Sequence, residues 1–408
     1  TAAKVDFVNI SHSAYHGSYT VSTQMADMSF PVGTFRPITQ RLRDVLRDVP
    51  SPPVVMTACQ YRDVADAETV LADDMTDMVG MARAHIADPD VVGKAERGAD
   101  DQTTRCIACN QGCASMLALN LPITCLVNPM AGREGEAQPA ARATPRKVLV
   151  IGGGPAGMKA ASVAAANGHD VTLWEQGAQL GGRLNATRAI PLRQEFKKLL
   201  DGLQRRCAET GVTVVLNKAA DAAEIDAFGA DDVILATGAT QPGAAFPGGG
   251  GGISLDQAVA DPAAVGDDVA LVDTLGTWTT ASVAEYLAGL GKRVTLLVPT
   301  GAPAWTIGMY GGFALKRRLK EKGVRTLGLH APESFLDGQL VARDLSIDEV
   351  VDLGAFDAVI APTSGQPNDA LAPMLRGNAA RLHIVGDAMS PRTALEAIYE
   401  GHEAARAL

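Results

Sequence analysis

The stretch Val148-Leu149-Val150-Ile151-Gly152-Gly153-Gly154-Pro155-Ala156-Gly157 runs from an apolar, β-branched strand straight into a glycine turn. A helical pattern from Ala156 to Asn167 follows, and then a second apolar run, Asp170 to Trp174, closed by Glu175. Strand, glycine turn, helix and strand in that order make a dinucleotide-binding unit and an α/β fold class. Gly152 and Gly154 let the backbone turn and approach a pyrophosphate, and Gly157 lets the helix pack on the strand. Glu175, standing 23 residues after Gly152, can accept hydrogen bonds from ribose hydroxyls.

Upstream of this unit lie an Ala/Pro/Arg-rich linker, residues 138–146, and four cysteines, Cys106, Cys109, Cys113 and Cys125, spaced C-x2-C-x3-C-x11-C. Four soft thiolates satisfy either a tetrahedral zinc ion or a [4Fe-4S] cubane. A tight triplet reaching a distant fourth cysteine suits a loop wrapped around three corners of a cube, so the cluster is expected, with zinc the alternative. Cys59 and Cys207 are expected to be free thiols, consistent with a reducing cytoplasm.

Residues 1–98 carry three short strand-like runs, Val5 to Ile10, Pro53 to Thr57 and Met78 to Met81, with a helical pattern from Val64 to Leu71 between the last two. This succession reads as parallel sheet, which is stable only when its faces and edges are covered. Three strands cannot close a barrel, so the missing strands are expected upstream or from another chain.

Downstream, Asp232 to Gly238 reads as a buried strand ending in a small-residue turn. A second strand–turn–helix–strand unit spans Val269–Val272, a helix to Leu290, and Arg293–Val298. Its turn carries Thr274, Thr277 and Trp278 where close approach of a cofactor needs glycine, so it reads as a retained but emptied nucleotide fold. His383 to Asp387 reads as a strand delivering Asp387 at its C-terminal end, ahead of a helix from about Thr393 to Leu408. Asp387 there can hold the ribityl chain or pyrophosphate of a flavin, the alternative being a helix cap.

A chain of 408 residues with 47% apolar content is long enough to bury two or three cores. Its net charge of −10 disfavours nucleic acid and leaves small molecules or proteins as ligands. No apolar run is long enough for a membrane span and no secretory leader is evident, so the cytoplasm is the expected location.

The chain resembles the C-terminal part of the trimethylamine dehydrogenase and 2,4-dienoyl-CoA reductase family, the iron–sulfur branch of the old yellow enzyme relatives. The resemblance rests on Asp77–Asp88 (DMVGMARAHIAD), Cys106–Cys113 (CIACNQGC), Cys125–Asn128 (CLVN), Val150–Gly157 (VIGGGPAG), Leu180–Gly182 (LGG) and Val385–Asp387 (VGD). It implies that residues 1–98 are the last three strands of a TIM barrel that holds FMN, and that residues 99–146 hold the [4Fe-4S] cluster. It further implies that residues 147–263 and 362–408 bind FAD, or ADP in its place, around an inserted, degenerate NAD(P)H-type fold at 264–361.

Met81, Ala82 and Arg83 match the loop on the FMN phosphate, and Gly182, Arg183, Gly238 and Gly386 join the nucleotide site with Asp387. His16 matches a proton donor of the reductases, with Tyr15 before it and His12 nearby as further catalytic candidates at the catalytic face of a barrel. The family carries a Gly-Arg or Asn-Arg pair at the end of the second strand, where this chain has Thr57-Ala58-Cys59-Gln60.

The expected activity is oxidative N-demethylation of a methylated amine, passing electrons to an electron-transfer flavoprotein, with a polypeptide supplying the first five barrel strands. The alternatives are an NAD(P)H-dependent 2,4-dienoyl-CoA or enoate reductase and a non-catalytic electron-carrier subunit.

Overall fold

Three short parallel strands open the chain: β1 (Phe7–Ile10), β2 (Val54–Ala58) and β3 (Met78–Gly80), hydrogen-bonded in that order. The computed structural model describes residues 5–13, 18–136, 144–377 and 380–408. These fall into two compact units, one holding the described residues up to Glu136 together with Gly308–Ala314, the other holding the rest.

In the first unit the helix Arg36–Arg47, with Pro37 in its first turn, connects β1 to β2. The helix Val64–Ala72 connects β2 to β3, its N-terminus capped by the Asp63 carboxylate on the Asp66 N–H. β1 is shorter than its β-branched run because it pairs only from Phe7, opposite Val54. Among the described residues β1 and β3 each have a strand neighbour on one side only. Phe7, Val54 and Met78 leave 63%, 42% and 54% of their surface exposed, unusual for a parallel sheet. Residues 308–314 add Tyr310, which packs with Val21 and Ala114.

The second unit contains a five-stranded parallel sheet built from β4 (Lys147–Ile151), β5 (Asp170–Trp174), β6 (Thr213–Val215), β7 (Asp232–Leu235) and the strand Arg381–Ile384. β4 lies at the centre, between β5 and β7, and its Val148, Leu149 and Val150 are fully buried, as a continuous apolar run in a central parallel strand must be. The helices Pro155–Ala166 and Ala394–Arg406 pack closely, since a Cβ at Gly401 would stand 2.3 Å from the Ala156 carbonyl oxygen.

The strands Asp268–Val272, Arg293–Val298, Arg325–Gly328 and Ala358–Ile360 form a second parallel sheet over a core that includes Leu271, Leu287 and Leu296. An antiparallel sheet of His330–Leu336, Gln339–Asp344 and Glu349–Ala355 completes the unit. Among the described residues no helix is long and apolar enough to cross a membrane.

The expected strand through Asp387 is corrected. Pairing with β7 ends at Ile384, and Gly386–Ala388 form one 3-10 turn, so Asp387 sits in a turn after the strand. The following helix is capped by Thr393, whose side chain and that of Glu396 close a capping box. Asp387 is not that cap.

Candidate functional site

In the first unit, Cys106, Cys109, Cys113 and Cys125 line one pocket. The loop that brings them together holds two non-glycine residues in the left-handed region, Ala108 (φ 50°) and Asn110 (φ 59°). The segment of the fourth cysteine lies against this loop where the Thr124 N–H donates to the Gly112 carbonyl at 2.8 Å. A Cβ at Gly112 would stand 2.7 Å from the Thr124 carbonyl oxygen, so the approach requires glycine. Asn128 ties the same segment to the helix Ala82–Ala87, its Nδ2 donating to the Ile86 carbonyl at 2.9 Å.

Backbone N–H groups face each sulfur. Ala108 donates to Cys106 Sγ at 3.4 Å, Gln111 faces Cys109, Ala114 faces Cys113, and Val127 and Asn128 face Cys125. Burial pushes three of these thiols up, Cys125 to about 12, Cys109 well above the usual thiol range and Cys113 in the same direction, with the neighbouring sulfurs adding to the effect. The cage therefore needs a strong positive charge inside it to hold four thiolates.

Among the described residues no group of three His, Cys, Asp or Glu side chains converges so as to hold a single metal ion. Zinc draws its sulfurs to about 2.3 Å from one centre, whereas a cubane keeps its four thiolates apart by its own width. Four thiols around one pocket, each under a backbone donor, are a donor set suited to an iron–sulfur cluster.

At the C-terminal end of the three strands, Arg83 Nη1 donates to the Ala26 carbonyl at 2.8 Å and to Asn110 Oδ1 at 2.7 Å. Met81 precedes the helix Ala82–Ala87 and Ala82 is its first residue. Cys59 and Gln60, which follow β2, both take positive φ, 85° and 68°. Gln60 is buried and spends its amide donors on the Ala26 and Asp27 carbonyls, and its oxygen accepts from Arg62. Among the described residues no cysteine is disulfide-bonded.

His12 is buried against Phe35, ring centroids 4.7 Å apart, and its Nε2 has no hydrogen-bond partner among the described residues. Burial holds its ring below the usual histidine range, which favours the neutral form. Tyr15 and His16 lie outside the described residues.

In the second unit the glycine turn divides its labour. Gly152 takes φ 106° and a Cβ there would stand 2.3 Å from the Ala236 carbonyl oxygen, while one at Gly157 would stand 1.9 Å from the Gly152 carbonyl oxygen. Gly154, the N-cap of the helix Pro155–Ala166, has open space where its Cβ would be, the side from which a pyrophosphate can approach. Glu175 accepts from the Gly153 N–H at 2.7 Å and the Gly177 N–H at 2.6 Å. A carboxylate has about four lone-pair sites, so it retains capacity for a ribose hydroxyl.

Gly182 abuts Gly154, and Gly238 takes φ 74° in the turn after β7. Gly386 brings the turn of Asp387 against Ala156 at the start of the helix. Burial raises the Asp387 carboxyl, offset by the Arg392 N–H and by the charges of Arg183 and Arg392. Arg183 donates to Gln241 at 2.7 Å and Asp256 at 3.1 Å.

The turn of the second parallel sheet is closed from within. Asp273, fully buried, accepts from the Gly276 N–H at 3.0 Å and the Ala304 N–H at 2.7 Å. Thr306 donates through its N–H and its hydroxyl to the Gly276 carbonyl, and the Trp305 ring occupies the space where a Gly276 Cβ would point. A carboxylate and an indole stand where a pyrophosphate would need backbone donors and room. Asp273 and Trp305 were missed in the sequence, because only the return of residues 304–306 brings them together.

Residues 146–372 match a family model described as pyridine nucleotide-disulphide oxidoreductase. The chain is similar to the NADH oxidase of Thermoanaerobacter brockii, at 30% identity over 89% of this chain and 56% of that protein. It is also similar to the N,N-dimethylglycine/sarcosine dehydrogenase of Chromohalobacter salexigens, at 29% identity over 90% of this chain and 54% of that protein. Among solved structures it shares its fold with histamine dehydrogenase from Rhizobium sp. 4-9, with TM-score 0.88 and 24% identity, covering 99% of this chain and 61% of that one. The chain thus spans little more than half the length of the curated relatives it matches.

Proposed function

The chain belongs to the pyridine nucleotide-disulphide oxidoreductase family, and on that premise we propose that it is the electron-transfer part of an iron–sulfur flavoprotein oxidoreductase. The observation that carries the reading is the set of four cysteines around one pocket, one buried and three half-buried, in a chain that also holds an open glycine turn. A [4Fe-4S] cluster would supply one-electron transfer, FMN the oxidation of substrate, and FAD, or ADP in its place, would fill the glycine turn.

In this reading Cys106, Cys109, Cys113 and Cys125 hold the cluster. Gly152, Gly154 and Gly157 admit the pyrophosphate, Glu175 accepts from ribose, and Gly182, Arg183, Gly238, Gly386 and Asp387 border the rest of the nucleotide. Met81, Ala82 and Arg83 serve the FMN phosphate, and His16, Tyr15 and His12 manage protons at the substrate. The domain limits follow: 1–98, 99–146, 147–263 with 362–408, and the insert 264–361.

The substrate class is a methylated amine, oxidatively demethylated, a reading supported by the relative named for N,N-dimethylglycine and sarcosine. An electron-transfer flavoprotein is the acceptor, because the turn at Gly276 is stitched to residues 304–306 and offers no room to NAD(P)H. A polypeptide outside these 408 residues supplies the first five barrel strands, supported by the exposed Phe7, Val54 and Met78 and by the single strand neighbour that β1 has among the described residues.

The 408-residue chain, purified alone, is therefore expected to carry adenine nucleotide but FMN far below stoichiometry, and to gain FMN when produced with the completing polypeptide. A monomeric, stoichiometrically FMN-loaded chain in size-exclusion chromatography with flavin extraction would contradict the completed barrel.

A further inference from the structure

We infer that Arg83, held in place by Asn110, is a fixed positive charge that raises the reduction potential of the cluster carried by Cys106, Cys109, Cys113 and Cys125. The inference rests on the iron–sulfur reading above and gives Arg83 a role beyond a flavin phosphate.

Arg83 lines the same pocket as the four cysteines. Its Nη1 donates to Asn110 Oδ1 and to the Ala26 carbonyl, and neither neutral acceptor offsets the positive charge of the guanidinium. Asn110 lies between Cys109 and Cys113 in the chain, is 4% exposed, and anchors its own Nδ2 on the Met25 carbonyl. The clamp therefore ties the cation to the loop that carries the sulfurs.

An electron arriving from reduced flavin makes the cage more negative by one charge. A half-buried cation fixed at its wall favours that state. Asn110 is a positioning residue in this scheme, because it fixes where the charge stands.

The test uses the anaerobically purified full chain, with iron and acid-labile sulfide quantified before a dithionite titration monitored by EPR. Arg83→Gln and Arg83→Met both remove the charge, and the potential is read on whichever retains iron and sulfide. The expected result is a fall equivalent to about tenfold in the reduction equilibrium, ~59 mV for one electron, with Arg83→Lys restoring most of it. An unchanged potential in a cluster-loaded Gln or Met variant overturns the inference and leaves Arg83 to a phosphate alone. A wild-type chain without iron or sulfide instead overturns the reading beneath it, so the two failures are distinct.

Discussion

Cys109→Ser is expected to strip nearly all iron and acid-labile sulfide from the anaerobically purified chain while leaving the adenine nucleotide of the second unit in place. Burial and the neighbouring sulfurs of Cys125, Cys113 and Cys106 together hold the Cys109 thiol well above its usual range. A hydroxyl in its place is a hard, reluctantly ionised donor in a dry cage, poorly suited to iron. In the enzyme completed by its partner, substrate is expected to bleach the flavin of the variant as in the wild type, while reoxidation by the acceptor is lost by about 100-fold or more, the upper range for losing even an outer partner of a metal site. Full sulfide content in Cys109→Ser would remove this residue from the cage.

Gly154→Val is expected to abolish nucleotide binding with little loss of stability. The space at the Gly154 Cβ is open in the protein, so a Cβ meets no protein atom within 4 Å and the branched side chain built on it fills the approach that a pyrophosphate needs. Gly157→Ala is the control, because its Cβ would stand 1.9 Å from the Gly152 carbonyl oxygen. That variant is expected to lose on the order of 3 kcal/mol through overpacking of helix on strand. Nucleotide extraction and thermal unfolding on both proteins separate the two effects. A Gly154→Val chain with wild-type nucleotide content would refute the assignment of the turn.

The parts of the fold that local chemistry dictates were legible in the sequence. β4, β5 and the strand Arg293–Val298 fall where their apolar runs lie, because buried parallel strands must be apolar along their length. β1 and the strand after Ala380 end elsewhere than expected, because pairing, not composition, sets a strand's limits. The hairpin at Asp337-Gly338 was a local signal left unread: Leu336 pairs with Gln339, and both turn residues take positive φ, 50° and 78°.

At the sites, cysteine spacing and glycine spacing were legible because both are short-range requirements of their ligands. The bond of Arg83 to Asn110, the sharing of the Ala26 carbonyl by Arg83 and Gln60, and the closure of Gly276 by Trp305 were not. Each joins residues far apart in the chain whose types alone do not announce a partner. Asp387 was legible as a residue type near the nucleotide turn, but its place in a 3-10 turn depends on where β7 stops offering partners.

The most direct measurement is metal, sulfide and flavin analysis of one anaerobic preparation of the chain. About four iron and four sulfide per chain are expected, with the charge-transfer absorption of an iron–sulfur cluster, together with an extractable adenine nucleotide. About one zinc per chain with no acid-labile sulfide would contradict the iron–sulfur reading.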